Sequence, residues 1–112
     1  MPNPPLIDIL PRHREIVLEI LQKHVPKHEV WAFGSRVKGI AKEYSDLELC
    51  IVTDTPLSIM VLGALHDDFI DSDLPWKVDV VDWATTSASF REIIDRDKAV
   101  VQEQGGSKSS FG

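Results

Sequence analysis

The chain has 112 residues, of which 43% are hydrophobic and 27% are charged, so we expect a single small globular domain. A formal net charge of −6 argues against general electrostatic binding to nucleic acid, because that binding requires a basic face. The single cysteine excludes an internal disulfide, and the absence of a signal-peptide pattern or a long apolar run predicts a cytoplasmic protein without membrane contacts.

Helical periodicity, capping residues and apolar runs divide the chain into alternating helices and strands. Pro11 suits a first helical turn, where its missing N–H is not needed, and Thr55 followed by Pro56 is typical of another helix start. Ser87 is the predicted cap of a later helix. The predicted elements are, in chain order, an irregular segment at 1–10, a helix at 11–24, a strand at 29–33, a turn with a short helix at 34–41, a loop at 42–45, a strand at 46–52, a helix at 56–71, a strand at 76–83, a helix at 87–97 and a short strand at 98–103.

The alternation of strands and helices predicts an α/β (α+β) fold, in which helices cover one small β-sheet. We expect the domain to span residues 1–102 and residues 103–112 to form a flexible tail. Apolar side chains of the two later helices are predicted to face the core: Ile59, Met60, Leu62, Leu65, Phe69, Ile70, Phe90, Ile93 and Ile94.

Acidic side chains interrupt two of the predicted apolar strands. Asp46 and Glu48 are two residues apart, so they should project from the same face of a strand, and Asp79 joins them if its strand pairs alongside. Lys77 is expected to point to the other face, and Asp82 to point away from the group in a structural role. Adjacent carboxylates favour a cation between them, and oxygen ligands favour Mg²⁺ or Mn²⁺. Three carboxylates can hold two such ions, which can bridge triphosphate oxygens and support displacement at the α-phosphorus.

The turn after the first predicted strand has the composition of a phosphate-binding turn. Gly34 allows the backbone to approach a phosphate closely, and the helix that follows begins with free N–H groups that favour an anion. Ser35 adds a hydroxyl donor, and Arg36, Lys38 and Lys42 add positive charge. In the alternative interpretation, the turn only joins a strand to a helix and Ser35 only caps that helix.

These motifs together resemble those of the minimal nucleotidyltransferases in the DNA polymerase β-like superfamily. The resemblance rests on Gly-Ser-Arg at 34–36, Gly39, Ser-Asp-Leu-Glu-Leu at 45–49 and the isolated strand residue Asp79, and it covers residues 11 to about 102. Within the superfamily, the chain is similar to small stand-alone proteins that are often encoded beside a helical HEPN-domain protein. The resemblance implies a polymerase β-like fold with a small mixed sheet, and transfer of AMP from ATP to a hydroxyl.

The resemblance also implies a role for each matching residue. Asp46, Glu48 and Asp79 would be the catalytic metal ligands, with Asp79 on the ion that activates the acceptor hydroxyl. The implied nucleotide-binding residues are Gly34, Ser35, Arg36, Lys42 and Ser45. Mg²⁺ or Mn²⁺ would be the cofactor and ATP the donor. The implied partner is a helical HEPN toxin that is modified on a tyrosine, with the chain as its antitoxin; neither nucleic acid nor membrane is an expected partner, and self-association stays open.

Glu48 departs from the family motif, which usually has aspartate at this position. The extra methylene moves the carboxylate by about one bond length, and Mg²⁺ tolerates little distortion of its octahedron. The same Ser-Asp-x-Glu form occurs in aminoglycoside nucleotidyltransferase relatives. Two alternatives therefore stay open: a weak or inactive transferase that neutralises its partner by contact, and a small-molecule nucleotidyltransferase. Enzymes of the second kind usually carry a further helical domain, for which we expect 112 residues to leave no room.

Overall fold

The computed structural model describes residues 7–104, in which helices and strands alternate along the chain. The elements are α1 (Pro11–His24), β1 (Val30–Phe33), α2 (Ser35–Lys38), β2 (Leu47–Ile51), α3 (Ile59–Asp71), β3 (Val78–Asp82), a 3₁₀ turn (Trp83–Thr85), α4 (Ala88–Asp97) and β4 (Ala99–Gln102). This order confirms the predicted α/β fold. The predicted irregular start and flexible tail lie outside the described residues for positions 1–6 and 105–112.

The four strands form one mixed sheet in the order β3-β2-β1-β4. β1 is antiparallel to both β2 and β4, whereas β2 and β3 are parallel. A parallel pair requires a crossover connection, and α3 provides it. β3 therefore lies at one edge of the sheet, with β2 as its neighbour.

The main hydrophobic core lies between one face of the sheet and the helices α1 and α3. Alternate strand residues enter this core, and buried side chains of the two helices meet them. Its fully buried members include Val17, Leu21, Val30, Ala32, Leu47, Leu49, Ile51 and Leu65.

A polar contact also joins the two helices: His24 Nε2 of α1 lies 2.6 Å from Asp68 Oδ2 of α3. The hydrogen bond from His24, together with one from Lys23, lowers the pKa of the Asp68 carboxyl.

A smaller core lies on the opposite face of the sheet, beneath α4. Trp31, Phe33, Cys50 and Ile94 are its buried members. Burial raises the pKa of the Cys50 thiol to about 12, so this cysteine is a packing residue, as its apolar neighbours predicted. Among residues 7–104, no helix combines the length and the apolar composition that a bilayer crossing requires.

Asp82 anchors the end of β3 that lies away from the acidic strand starts. Its carboxylate is buried and accepts hydrogen bonds from the Thr53 hydroxyl, from Leu57 N at 2.6 Å and from Ala84 N at 3.2 Å. The predicted structural role of Asp82 is therefore confirmed.

The start of α3 differs from the prediction. The helix begins at Ile59 and is capped by Ser58, whose Oγ accepts from Val61 N at 3.1 Å, whereas Thr55 was the predicted cap. The physical reason lies far away in the sequence, because Asp82 captures the N–H of Leu57 and holds the preceding segment against β3.

Several apolar side chains predicted to face the core do not reach it. Ile59, Met60 and Ile70 are 87%, 85% and 76% exposed, and Ile93 is 40% exposed. Leu65 and Phe69 instead carry the buried face of α3. Residues 59, 60 and 70 lie on the other side of the helix, so the prediction was wrong for them.

Candidate active site

The Gly-Ser turn and the acidic strand starts meet at one end of the sheet. Phe33 at the end of β1 is paired with Glu48 near the start of antiparallel β2, so Gly34 leaves the sheet beside Glu48. In the parallel pair, Glu48 is level with Asp79 of β3. Residues that are level in neighbouring strands share a face, so both carboxylates project from the same side of the sheet. Asp46 directly precedes β2 and is exposed at the same end.

These side chains lie on the same face of the sheet, but they do not converge on a common position where one metal ion could bind all three. Among residues 7–104, no three acidic, histidine or cysteine side chains are grouped closely enough to hold a metal ion. Asp79 Oδ1 instead lies 3.7 Å from Lys77 Nζ, which corrects the expectation that Lys77 points to the other face. The correction has a simple cause: residues 77 and 79 are two apart in extended chain and therefore lie on the same side.

Gly34 is required by its backbone conformation and by its contact with Glu48. Its dihedral angles, φ 86° and ψ −158°, lie in a region that is essentially restricted to glycine. A Cβ at this position would lie 3.0 Å from Cδ of Glu48 and would overlap Oε2 of the same carboxylate. The Glu48 side chain is therefore seated directly against the turn.

We expect Gly34→Ala to lower the free energy of unfolding by about 3 kcal/mol, because alanine is strained in this region and must also displace the Glu48 carboxylate. Gly39→Ala is the matched control: Gly39 has φ 78° in the left-handed region with nothing within 4 Å of a Cβ, and the expected loss there is about 1 kcal/mol. Urea unfolding measures both values. Equal losses would show that the Glu48 contact does not restrict residue 34.

The acidic face raises the pKa of Glu48. Desolvation is the largest cause, followed by the negative charges of Asp79 and Asp46, while the positive charge of Lys38 acts in the opposite direction. The carboxylates therefore repel one another across this face, and a bound cation would relieve that repulsion.

This pKa shift makes stability depend on pH. An acid whose pKa is raised by folding contributes stability below its ordinary value of 4.5, and that contribution is lost as the pH rises through the folded value. In metal-free buffer we expect Glu48→Gln to melt at a higher temperature than the wild type at pH 7–8, and the difference to close below about pH 4.5. Thermal melts across this range measure the effect, with exposed Glu92→Gln as the control. A constant difference at every pH would contradict the expectation.

Arg36, which the sequence assigned to nucleotide binding, is held by contacts within the fold. Its side chain is 5% exposed and its guanidinium stacks on Trp76, 4.6 Å from the ring centroid. The guanidinium donates to four backbone carbonyl oxygens, those of Asp8, Lys42, Glu43 and Ser45, at 2.8–3.4 Å. Because its N–H groups are engaged in this way, Arg36 fixes the loop before β2 and does not point to the Gly-Ser turn.

The other predicted nucleotide-binding residues lie in or beside the turn. Ser35 is the first residue of α2, and Gly34, not Ser35, is the N-cap. Ser45 Oγ accepts from Lys42 N at 2.8 Å, which closes the loop just before Asp46, and the Lys42 side chain is exposed. The structure thus brings Gly34 against Glu48, with Ser35 next to it in the chain, while Ser45 supports the loop that leads to Asp46.

Two lysines act on the acidic residues: the charge of Lys38 acts on Glu48, and Lys77 lies beside Asp79. Lys38 lowers the pKa of Glu48 and its Nζ also lies 3.3 Å from Asp97 Oδ2. Lys38 was predicted to add positive charge near the phosphate-binding turn, but it was not among the predicted site residues. Lys77 could have been found from its two-residue spacing to Asp79 alone.

Comparison with known protein families gives an independent result. The profile described as "Nucleotidyltransferase domain" matches residues 14–105. A relative from Haemophilus influenzae named "Probable protein adenylyltransferase MntA" is 53% identical over 98 residues, which are 88% of this chain and 86% of the relative.

Solved structures share the fold at lower sequence identity. One is a toxin–antitoxin complex with AMP-PNP, with a TM-score of 0.66 and 20% identity over 79% of this chain and 71% of that chain. Another is an MNT antitoxin in complex with a tri-AMPylated HEPN toxin of Shewanella oneidensis, with a TM-score of 0.60 and 19% identity over 80% of this chain and 69% of that chain. These matches show that the strand order and helix placement of this chain recur in other proteins.

Proposed function

The chain belongs to the nucleotidyltransferase domain family, and on that premise we propose that it transfers AMP from ATP to a tyrosine of a helical HEPN-domain partner. The observation that carries this proposal is the register of β2 and β3, which sets Glu48 level with Asp79 beside the Gly34 turn. The name of the 53% identical relative supports protein adenylyl transfer. The HEPN toxin complexes among the structural relatives support the choice of partner and an antitoxin role.

The acidic face has the donor set that a hard divalent cation prefers. Asp46, Glu48 and Asp79 offer carboxylate oxygens. Desolvation, together with repulsion from Asp79 and Asp46, raises the pKa of Glu48, and that repulsion favours a positive charge among the three groups. Mg²⁺ or Mn²⁺ held by these residues would supply Lewis-acid polarisation of the phosphate oxygens and a lower pKa for the acceptor hydroxyl. The seating of Glu48 against Gly34 means that its carboxylate must turn outward to join the other two.

The turn at Gly34 would receive the nucleotide phosphates. The Glu48 carboxylate fills the space beside Gly34, and once it turned outward the missing side chain would allow a phosphate to approach the backbone. Ser35 adds a hydroxyl donor that α2 does not use as its N-cap. Lys42 has an exposed side chain near this end of the sheet and would add positive charge toward the phosphate tail. Arg36 and Ser45 would act indirectly, by fixing the loop that positions Asp46.

The proposed reaction is a displacement at the α-phosphorus of ATP. A bond forms between the tyrosine oxygen and the α-phosphorus, and the bond from that phosphorus to the oxygen bridging to the β-phosphate breaks. Pyrophosphate leaves with the electron pair, and the hydroxyl proton passes to water. Asp79 is half-exposed in the edge strand, so an acceptor carried by another protein can approach it directly.

A contact-only antitoxin is the second candidate, and one observation favours it. Glu48 folds against Gly34, and the acidic side chains of residues 7–104 are not gathered around one point. A chain with this arrangement could bind the partner tightly while transferring AMP slowly.

Labelled ATP tests the proposal and separates it from phosphoryl transfer. We expect label on the α-phosphate to become attached to a HEPN-domain partner protein when Mg²⁺ is present, and label on the γ-phosphate to stay in solution. Omission of the chain is the control. Attachment of the γ-label, or labelling of an added aminoglycoside in place of the protein, would reject the proposed acceptor chemistry.

A further inference from the structure

α3 presents an apolar outer face to solvent. Ile59 and Met60 in its first turn and Ile70 in its last turn are 87%, 85% and 76% exposed. Successive residues of a helix are rotated by about 100°, which places Gly63 and Ala64 in the same arc, opposite the buried Leu65 and Phe69. We define the α3 outer face as Ile59, Met60, Gly63, Ala64, Asp67 and Ile70, all of which are exposed.

This face has the shape and chemistry of a helix-packing surface. Single exposed apolar residues are normal on a protein surface, but this helix carries three large aliphatic side chains above 75% exposure on one side, two in its first turn and one in its last. Nothing lies within 4 Å of a Cβ built on Gly63, so a partner helix could approach the backbone closely between the two apolar ends. The face extends from Ile59 to Ile70, which is about 17 Å along the helix axis.

A groove at the edge of the sheet lies beside α3, at the end of β3 that is away from Asp79. Leu62 of α3 lines this groove together with Val80 and Val81 of β3 and Phe90 of α4, and its volume is about 440 Å³. β3 is the edge strand of the sheet, so the groove crosses an open edge. A protein seated on α3 would reach the acidic face by following this edge from the groove back toward Asp79.

Charge favours a basic partner over a second copy of the chain. Asp67 lies within the outer face, and Asp71 is exposed beside it. Two copies that packed through this face would bring these carboxylates together, and each copy already has a formal net charge of −6. A helix whose apolar residues are flanked by lysine or arginine would match both the apolar side chains of this face and its acidic members.

We propose that the α3 outer face and the adjoining groove dock the acceptor protein through an apolar helix with a basic flank. This inference rests on the proposed function, because the partner is the protein that receives AMP. α3 and the acidic side chains lie on opposite faces of the sheet, so the docked partner would reach Asp79 around the β3 edge.

The double variant Met60→Arg/Ile70→Arg tests this surface. Both side chains are exposed, so we expect an unchanged melting temperature and unchanged affinity for Mg²⁺-ATP. Affinity for a HEPN-domain partner protein should fall by about 100-fold, because loss of two apolar anchors, one toward each end of the face, has an effect of this size. Val100→Arg is the matched control: Val100 is 46% exposed on β4, at the opposite edge of the sheet. Calorimetry measures both affinities.

The outcomes separate the docking proposal from the proposed function. If the double variant binds the partner as tightly as the Val100→Arg control does, the docking proposal is overturned, whether or not the wild type transfers AMP. If the double variant loses binding but the wild type leaves the partner without AMP, the docking proposal stands and the proposed function fails. If light scattering shows a wild-type dimer that the double variant dissociates, a second copy occupies the face and the proposal is overturned.

Discussion

Replacing Asp79 with asparagine is expected to reduce AMP transfer to the partner by about 1,000-fold, while partner binding is retained. Asparagine keeps the shape of the side chain but removes the charge, and loss of several kcal/mol of charge stabilisation at the reacting phosphate corresponds to a change of this size. The folded state should not suffer, because Asp79 is half-exposed and its charge repels Glu48. Single-turnover transfer of labelled AMP measures the rate, and calorimetry measures partner binding.

The control for this experiment is Asp54→Asn. Asp54 is exposed beyond the opposite end of β2, so its replacement should change neither rate nor binding. If the Asp79→Asn variant transferred AMP at the wild-type rate, Asp79 would have no role in the reaction. The alignment of Glu48 with Asp79 in neighbouring strands would then not contribute to catalysis.

Replacing Arg36 with methionine is expected to destabilise the fold by about 3–5 kcal/mol. The change removes the donors to four backbone carbonyl oxygens and the stacking on Trp76, and each carbonyl left without a partner costs about 1–3 kcal/mol where water cannot reach it. Urea unfolding measures the loss. Because the loop before Asp46 depends on this arginine, we also expect the variant to bind Mg²⁺-ATP more weakly.

Arg91→Met is the matched control for this second experiment. The Arg91 guanidinium also stacks on a tryptophan, 4.8 Å from the ring centroid of Trp83, but it donates to a single carbonyl oxygen, that of Trp83. Its replacement should therefore cost much less stability. If Arg36→Met were as stable as Arg91→Met but bound ATP far more weakly, Arg36 would contact phosphate after all and its structural role would be secondary.

Local patterns in the sequence were sufficient to predict most of the fold. Helical spacing and Pro11 predicted the bounds of α1, Ser87 marked the start of α4, and strand alternation predicted that Glu48 and Asp79 share a face. These features depend on residues that are close together in the chain, where backbone periodicity alone decides the arrangement.

Features that depend on distant residues could not be predicted in the same way. α3 begins late because Asp82, more than twenty residues further along, captures the N–H of Leu57. Arg36 turns away from the Gly-Ser turn because the carbonyl of Asp8 and those of the loop at 42–45 surround its guanidinium. A long side chain can reach in several directions, and only the assembled fold decides which acceptors are available.

Tandem mass spectrometry of the HEPN-domain partner tests the proposed function most directly. The partner is incubated with ATP, Mg²⁺ and either the wild-type chain or its Asp79→Asn variant, and the modified residue is then located. We expect AMP on a tyrosine side chain after incubation with the wild type, and an unmodified partner with the variant. An unmodified partner in both reactions, bound and neutralised equally well by the two proteins, would contradict adenylyl transfer and would identify the chain as an antitoxin that acts by contact.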